Sequence, residues 1–374
     1  MRELVWVDTL EELQNVVEQH KTAPMIALDA EMDSYYCYHT KLCLVQMTVG
    51  KTDYLIDSLA LESLEALNIL TENPNIVKVF HAGENDVPYF RRHGVEFKNI
   101  FDTHIAAKIL ELESKSLGGL VDIYFEINLP KDQSRADWRI RPLPPEQVEY
   151  ARQDTLYLCE LAEILQKELE EADSVQEAHQ YFKSLEGLEL REKSFDPDGW
   201  AKIKGARELS GLQRSILHEL YSWREEVAEK EDLAVFRIAH NSALLSLSRK
   251  RFQQPDQLIG WAKNDYFRQY APRLIELMNK GRERGQIPFP DLRKKKNNDW
   301  SAEDEKLFNV LRQWRNEESE RRGVDPSRVL SNRQLKKVAR KRPSSSESLA
   351  SVEGLEAWKV EEFGAKLVEL VGQG

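Results

Sequence analysis

The chain of 374 residues has only three cysteines, Cys37, Cys43 and Cys159. So few thiols cannot form the disulfide framework of a small secreted domain. Long apolar runs are also missing, because none approaches the roughly 18 residues of a membrane span. The first residues, MRELVWVDTLEEL, lack the basic and apolar regions of a signal peptide. We therefore expect a cytoplasmic protein without a membrane partner.

Positive charge is scarce in the first part of the chain. Residues 1–170 carry 16 Lys and Arg against 30 Asp and Glu, whereas the remainder carries 37 against 34. The net charge of −11 therefore arises near the N-terminus, and it does not exclude a nucleic-acid partner for the rest of the chain. Either the acidic surface is simply solvated, or some of its carboxylates are gathered to hold cations.

Strand and helix patterns alternate over residues 1–170. Apolar runs at 5–7, 25–29 and 76–80 predict strands, and the period-2 spacing over 42–48 followed by 54–56 predicts an antiparallel pair. A capped helix is predicted over 11–20, a further helix over 61–70, and one long helix over 143–171. This order of elements is typical of an α/β domain.

An internal repeat occupies the C-terminal part. With a constant offset of 91, Trp223–Arg224 matches Trp314–Arg315, and further identities recur without a gap at Arg237 and Arg328, Asn241 and Asn332, Leu244 and Leu335, and Leu258 and Leu349. Each unit has a helical pattern and the size of a small bundle. The sequence RKKKNN at 293–298 predicts a basic linker between the units.

Four acidic residues stand where two strands and a helix would bring them together. Alternation places Asp29 and Glu31 on the same side of a strand. Asp86 follows the next apolar strand, and Asp154 lies one helical turn after Tyr150. Like charges at close range are costly unless cations neutralise them. Four carboxylates suit two hard divalent ions that clamp a phosphodiester, although each residue taken alone is more typical of a solvated surface group.

These motifs together resemble a known family. The segment Asp29-Ala30-Glu31, the stretch HAGENDVPYF with Asp86, and Tyr150-Ala-Arg-Gln-Asp154 resemble the DEDDy class of 3′–5′ exonucleases. Three further stretches also resemble that family, namely LCLVQMT and residues 100–103 and 134–143. The two repeats resemble helicase-and-RNase-D C-terminal (HRDC) domains, and the whole combination resembles the ribonuclease D family.

The resemblance implies a fold and a domain order. The expected fold is an α/β ribonuclease H-like exonuclease domain, with a mixed sheet flanked by helices, followed by two all-α HRDC bundles. The implied limits are 1–172 for the exonuclease domain, 173–205 for a connecting segment, 206–286 for the first HRDC domain, 287–300 for the basic linker and 301–374 for the second HRDC domain.

The resemblance also implies an activity. Asp29, Glu31, Asp86 and Asp154 would bind two divalent ions, Mg²⁺ or Mn²⁺, and Tyr150 would position the attacking water. The expected enzyme hydrolyses RNA from its 3′ end, releases nucleoside 5′-monophosphates and matures tRNA precursors, with no obligate protein partner. Two alternatives stay open, namely a 3′–5′ exonuclease that acts on DNA and a catalytically inactive RNA-binding scaffold.

RNA contacts are expected in the basic C-terminal region. Residues 321–345 contain nine Lys and Arg and one acidic residue. We predict that phosphates contact Arg340, Lys341 and Arg342, together with Arg249, Lys250 and Arg251 of the first repeat, although a charge run is usually a solvated helix face.

Aromatic and sulfur-containing side chains follow the Asp29–Glu31 strand. Tyr35, Tyr36, Tyr38 and His39 either stack on a terminal base or pack under the sheet, and the pattern favours neither. Cys37, His39 and Cys43 lack a nearby fourth ligand, which argues against zinc. His81 and His104 are left out of the catalytic set, because metal-activated water needs no histidine base.

Overall fold

A six-stranded mixed sheet forms the centre of the N-terminal region in the computed structural model. This structure describes residues 2–33, 35–129, 133, 136–190, 194–290 and 300–373. The predicted linker at 293–298, and residues 134 and 135 of the stretch that resembles the exonuclease family, lie outside the described residues. The strands are β1 (Glu3–Val7), β2 (Met25–Asp33), β3 (Lys41–Val49), β4 (Thr52–Ile56), β5 (Val77–Phe80) and β6 (Ile100–Asp102).

The strand order is β1-β4-β3-β2-β5-β6, so β2 lies inside the sheet. It pairs antiparallel with β3 and parallel with β5. The predicted antiparallel pair is β3 and β4. β2 continues to Asp33, four residues beyond its predicted end, and a β-bulge lies between Glu31 and Met32.

Helices cover both faces of this sheet. The first, α1, begins at a capping box in which Thr9 accepts a hydrogen bond from the Glu12 amide. The predicted helix over 61–70 is reduced to a 3₁₀ turn at Glu65–Leu67 and one short α-helix. The helices of this region are α1 (Leu10–His20), α2 (Asn68–Thr71), α3 (Val87–Arg92), α4 (Thr103–Ile109), α5 (Leu117–Phe125), α6 (Pro145–Leu156), α7 (Leu158–Glu171) and α8 (Val175–Glu186).

The prediction of one long helix over 143–171 was wrong, because the chain turns at Tyr157 and makes two helices. The turn lets α6 contact β2, β3 and β4, while α7 contacts β5 and α4. Burial against two different parts of the domain therefore overrides the local helical propensity of the segment.

Helix α8 lies within the predicted connecting segment 173–205, yet it packs against the sheet domain. Ala178, Phe182 and Leu185 are buried, and their spacing gives α8 one apolar face. The Phe182 ring lies 4.7 Å from that of Phe101 next to the sheet edge. The predicted domain limits stay predictions.

Two helical bundles follow, as the repeat predicts. Arg224 donates to the Ala239 carbonyl and Arg315 to the Leu330 carbonyl, so the same buried contact recurs at the repeat offset. The first bundle contains α9 (Gly211–Lys230), α10 (Val235–Ile238), α11 (Asn241–Ser248), α12 (Pro255–Trp261), α13 (Asp265–Gln269) and α14 (Ala271–Arg284). The second contains α15 (Ala302–Arg322), α16 (Pro326–Val329), α17 (Asn332–Lys341), α18 (Ser346–Ala350) and α19 (Ala357–Gln373).

Both bundles contact the sheet domain through equivalent repeat positions. The Ala234 amide donates to the Tyr36 carbonyl at 3.1 Å, and Arg237 lies over the Tyr36 ring. At the same repeat positions, the Asp325 amide donates to Glu111 at 2.9 Å, and Arg328 pairs with Glu177 of α8 at 2.8 Å. The two copies therefore use one surface to reach two different parts of the N-terminal domain.

None of the helices formed by the described residues is long and apolar enough to cross a membrane.

Gly281 is required by the close packing of α14 on α9. A Cβ added there would lie 2.8 Å from the Ile216 Cα, whereas one added at Gly260 of α12 would meet nothing within 4 Å. We expect Gly281→Ala to destabilise the first bundle by about 1–3 kcal/mol through overpacking. Gly260→Ala should be neutral or stabilising by up to about 1 kcal/mol, since alanine is the better helix former.

Urea unfolding of the full chain, followed by circular dichroism, measures both effects. A Gly281→Ala midpoint equal to that of Gly260→Ala would contradict the packing described here.

Candidate active site

Strand β2 presents the first two candidate ligands on one face of the sheet. Asp29 lies opposite Gln46 of β3, and Glu31 lies opposite Leu44. Residues directly opposite each other in an antiparallel pair share a face, so all four side chains point to the same side. A β-bulge follows immediately after Glu31. Because a bulge bends its strand, it changes the direction of the side chains from Met32 onward.

Asp154 reaches the same space from α6. Carboxylate oxygens of Asp29, Glu31 and Asp154 all lie within 4.8 Å of one another. Among the described residues, this is the one group of three or more acidic, His or Cys side chains close enough to hold a metal ion. The structure therefore brings three of the four predicted carboxylates together, and we call these three the carboxylate cluster.

Polar contacts on both sides of Asp154 fasten α6 to the sheet. The hydroxyls of Thr155 and Thr48 are 2.8 Å apart in a fully buried contact. The guanidinium of Arg152 pairs with Asp53 of β4 at 3.0 Å, and Thr48 also donates to Asp53 at 3.0 Å. These contacts fix the rotation of α6 about its axis, and with it the direction of the Asp154 side chain.

Asp86 lies next to the carboxylate cluster, at the start of α3. The turn before it is held by buried Asp102, which accepts hydrogen bonds from the amides of Ala82 and Gly83 at 3.3 and 2.7 Å. Burial raises the pKa of Asp86 well above its ordinary value, and the charges of Asp29, Asp102 and Asp154 raise it further. The Asp86 carboxylate is thus electrostatically coupled to the cluster while it lies outside the 4.8 Å group.

Tyr150 lies one turn before Asp154 on α6 and packs near Trp138. The two ring centroids are 6.2 Å apart, and Trp138 is fully buried between β3, β4 and α6. Arg141 holds this tryptophan segment in place by pairing with Asp57 at 2.5 Å and donating to the Trp138 carbonyl at 2.8 Å. Trp138 and Asp102 both lie in stretches that resemble the family, but nothing in the sequence assigned them a positioning role.

The electrostatics of the cluster suit a hard cation. Burial raises the pKa of Asp29 to about 7, because a carboxylate removed from water is destabilised in its charged form. The donors are carboxylate oxygens, which Mg²⁺ and Mn²⁺ prefer. Gln46, opposite Asp29, is fully buried, and neither polar atom of its amide has a hydrogen-bond partner among the described residues. The residues present therefore fit a divalent ion with bound water.

The other candidate ligands have structural roles. The Cys37 thiol donates to Asp33, and no zinc cluster forms around Cys37, His39 and Cys43 within the described ranges. Burial, followed by the charge of His104, lowers the pKa of His81 to about 4.

The predicted RNA-binding residues lie at the C-terminal ends of α11 and α17 and are exposed. Lys341 donates to the Ser351 carbonyl at 3.0 Å. Arg342 has a left-handed backbone with φ of 46° and pairs with Glu303 and Asp304, each at 3.6 Å. Part of the basic triplet therefore also holds the second bundle together.

Comparison with known protein families agrees with this geometry. A family model described as 3′-5′ exonuclease matches residues 4–170, and the HRDC domain model matches residues 213–277 and 304–371. The N-terminal domain thus belongs to the 3′–5′ exonuclease family, and the two bundles are HRDC domains, as predicted.

The chain is similar in sequence to ribonuclease D and to exosome components, among them the exosome complex exonuclease RRP6 of Saccharomyces cerevisiae. The chain is 32% identical to ribonuclease D of Shewanella sp. over 241 residues, which cover 64% of this chain and 62% of that protein. It is 31% identical over 254 residues to the exosome complex component 10 homolog of Drosophila melanogaster, covering 66% of this chain and 28% of the relative. The crystal structure of Escherichia coli RNase D superposes with a TM-score of 0.62 at 25% identity and covers 98% of each chain.

The chain spans only 28% to 35% of the length of the exosome relatives from fly, human and yeast.

Metal binding should be measurable as a gain in stability. An ion that binds only the folded state at 100 times its dissociation constant stabilises that state by about 2.7 kcal/mol. We expect Mg²⁺ or Mn²⁺ to raise the thermal unfolding midpoint of the wild-type chain accordingly. Asp29→Asn should abolish this gain and raise the midpoint in chelator, since it removes one of three crowded negative charges.

Asp122→Asn, at an exposed position on α5, is the matched control and should respond to the ions like the wild type. An Asp29→Asn chain with an undiminished response would rule out the carboxylate cluster as the ion site.

Proposed function

We propose that the protein is a 3′–5′ exoribonuclease that uses two divalent ions and releases nucleoside 5′-monophosphates. The observation that carries this proposal is the cluster of Asp29, Glu31 and Asp154, which lies in a domain of the exonuclease family and is followed by two HRDC domains. Asp86, whose pKa is raised by burial and then by the charges of Asp29, Asp102 and Asp154, and Tyr150, one turn before Asp154 on α6, complete the proposed site.

In this mechanism Asp29, Glu31, Asp86 and Asp154 would hold the two ions. Bound divalent ions would acidify a water and stabilise the leaving 3′-oxygen. The Tyr150 hydroxyl would orient that water from α6, and buried Trp138 would restrict the position of the Tyr150 ring. Asp102 would act indirectly, as a positioning residue, because it fixes the turn that precedes Asp86.

Structured RNA is the proposed substrate, and tRNA precursors with extra 3′ residues are the specific case. Support comes from the Escherichia coli relative, which is described as an exoribonuclease involved in structured RNA processing. Other relatives are exosome components, so the expectation of no obligate protein partner stays a prediction. The cytoplasmic location likewise stays a prediction.

One assay separates the alternatives. The protein is incubated with a 3′-extended tRNA and with single-stranded DNA, each with Mg²⁺, Mn²⁺ or chelator, and products are resolved by length. A DNA exonuclease would shorten the DNA preferentially, whereas an inactive scaffold would bind RNA in chelator and shorten neither strand. Stepwise shortening of the tRNA that requires metal is the outcome we expect.

Turnover should depend on the metal ligands more than on the phenol. Asp29→Asn should reduce kcat by orders of magnitude and leave RNA binding in chelator nearly intact, because only the ion site is damaged. Tyr150→Phe should reduce kcat less, since its hydroxyl only positions the water. Single-turnover hydrolysis of the extended tRNA measures both, with Asp122→Asn as the control. Full activity of Asp29→Asn would refute the assignment.

The basic ends of α11 and α17 are proposed to bind RNA phosphates. The test replaces Arg340 and Lys341 by glutamine and spares Arg342, whose ion pairs hold the second bundle together. For each phosphate of a single strand that the variant no longer binds, the negative slope of log K against log salt should become shallower by about 0.7. Lys366→Gln, at an exposed lysine of α19 paired with Glu369, is the charge control. An unchanged slope in the double variant would exclude these residues.

A further inference from the structure

A row of aromatic rings crosses the junction between the exonuclease domain and the first HRDC domain. Tyr35, in the loop after β2, is 47% exposed, and its ring centroid lies 4.9 Å from that of Phe236 in α10. Phe236 in turn stacks with exposed His240, with 6.1 Å between centroids and 28° between planes. We call Tyr35, Phe236 and His240 the aromatic row.

Two arginines enclose the neighbouring ring of Tyr36. Arg237 lies over it at 4.0 Å and Arg139 at 5.1 Å from the centroid. Arg139 is neutralised by Asp33 at 3.0 Å and Asp137 at 2.9 Å. Arg237 is exposed, lies over aromatic rings and donates to the Tyr35 carbonyl, and it forms no ion pair within the described residues. Arg139 lowers the pKa of Asp137 by pairing with it, and the nearby charge of Arg237 lowers it further. The Arg237 guanidinium is therefore accessible at the surface, beside a carboxylate that already has an ion-pair partner.

The loop that carries Tyr35 and Tyr36 directly follows the strand that carries Asp29 and Glu31. Asp33 is the last residue of β2, two positions beyond Glu31, and it accepts hydrogen bonds from the amides of Tyr35 and Tyr36 at 3.0 and 2.8 Å. On the other side, Arg139 directly follows Trp138, which packs on Tyr150. Tyr35 and its neighbour Tyr36 are thus held by Asp33 and Arg139, which are close in sequence to Glu31 and Trp138 of the proposed cleavage site.

Domain docking alone does not account for this arrangement. At the equivalent position of the second repeat, Arg328 satisfies its charge with Glu177 and donates to Ser174. The first repeat instead places its arginine, which forms no ion pair within the described ranges, beside the exposed ring of Tyr35 and the half-buried rings of Tyr36 and Phe236. Exposed rings beside a cation of this kind are the combination that binds single-stranded nucleic acid, since bases stack on the rings and phosphates pair with the cation.

We propose that the aromatic row binds the single-stranded part of an RNA substrate on the 5′ side of the nucleotide being removed. Bases stack on Tyr35, Phe236 and His240, and a phosphate pairs with Arg237. This inference rests on the proposed exoribonuclease function. It adds that the first HRDC domain and the exonuclease domain form one binding path, which favours substrates with an unpaired 3′ extension.

Binding of 5′-labelled oligoadenylates of 4 and 12 nucleotides to the full chain in chelator tests the proposal. The wild type should bind the 12-mer more tightly than the 4-mer. Phe236→Ala should weaken 12-mer binding about fivefold or more, which corresponds to the loss of one stacked base, with a smaller effect on the 4-mer. Phe236→Trp should restore it. Arg237→Ala should make the negative slope of log K against log salt for the 12-mer shallower by about 0.7.

Arg207→Ala is the matched control. Arg207 is also an exposed arginine of the first bundle that lies over an aromatic ring, that of Phe289 at 5.0 Å. It precedes α9, whereas Arg237 follows it, and the 20 residues of α9 span about 30 Å. Binding of the 12-mer to this variant should equal that of the wild type.

Two results would overturn the inference, namely unchanged 12-mer binding in Phe236→Ala, or an equal loss for both lengths, which indicates a role in docking only. Failure of the proposed function is distinguishable, because it shows as no hydrolysis of any length by the wild type with Mg²⁺ or Mn²⁺. The binding measurement in chelator decides on the aromatic row in either case.

Discussion

Mutual repulsion of carboxylates is the constraint on which the rest of the structure depends. Three of them lie with oxygens within 4.8 Å, and burial strengthens their interaction because water no longer screens it. Such a cluster persists only where the backbone is held firmly from several directions. β2 supplies two of its members from inside the sheet, and α6 supplies the third through contacts made by the residues on either side of Asp154.

The same constraint explains the buried polar residues that surround the cluster. Asp53, Asp57 and Asp102 are almost fully buried, and each accepts hydrogen bonds that fix a segment next to the site. Asp53 holds α6, Asp57 holds the tryptophan segment through Arg141, and Asp102 holds the turn before Asp86. None of these three carboxylates belongs to the cluster, so their charges are used for positioning.

Local periodicity was sufficient to predict the parts of the site that lie on one element. Alternation along β2 predicted that Asp29 and Glu31 share one face of the strand. Helical spacing predicted that Tyr150 and Asp154 share one face of α6. The break at Tyr157 could not be predicted, because LYLCEL contains no proline or glycine and the turn is set by what each helix buries. The packing of Trp138 against Leu44 of β3 joins residues roughly 100 positions apart, and the junction of Arg237 with Tyr36 joins residues roughly 200 apart. No local pattern encodes contacts of this range.

Because both bundles contact the exonuclease domain, the two contacts support each other, and neither needs to be strong by itself. The chain runs from the exonuclease domain to the first bundle, then to the second bundle, and returns to the exonuclease domain at α8 through Arg328 and Glu177. Once the first contact has formed, the second one closes a loop within a single molecule and benefits from a high effective concentration. A small interface at α8 is therefore sufficient to keep the second bundle against the exonuclease domain.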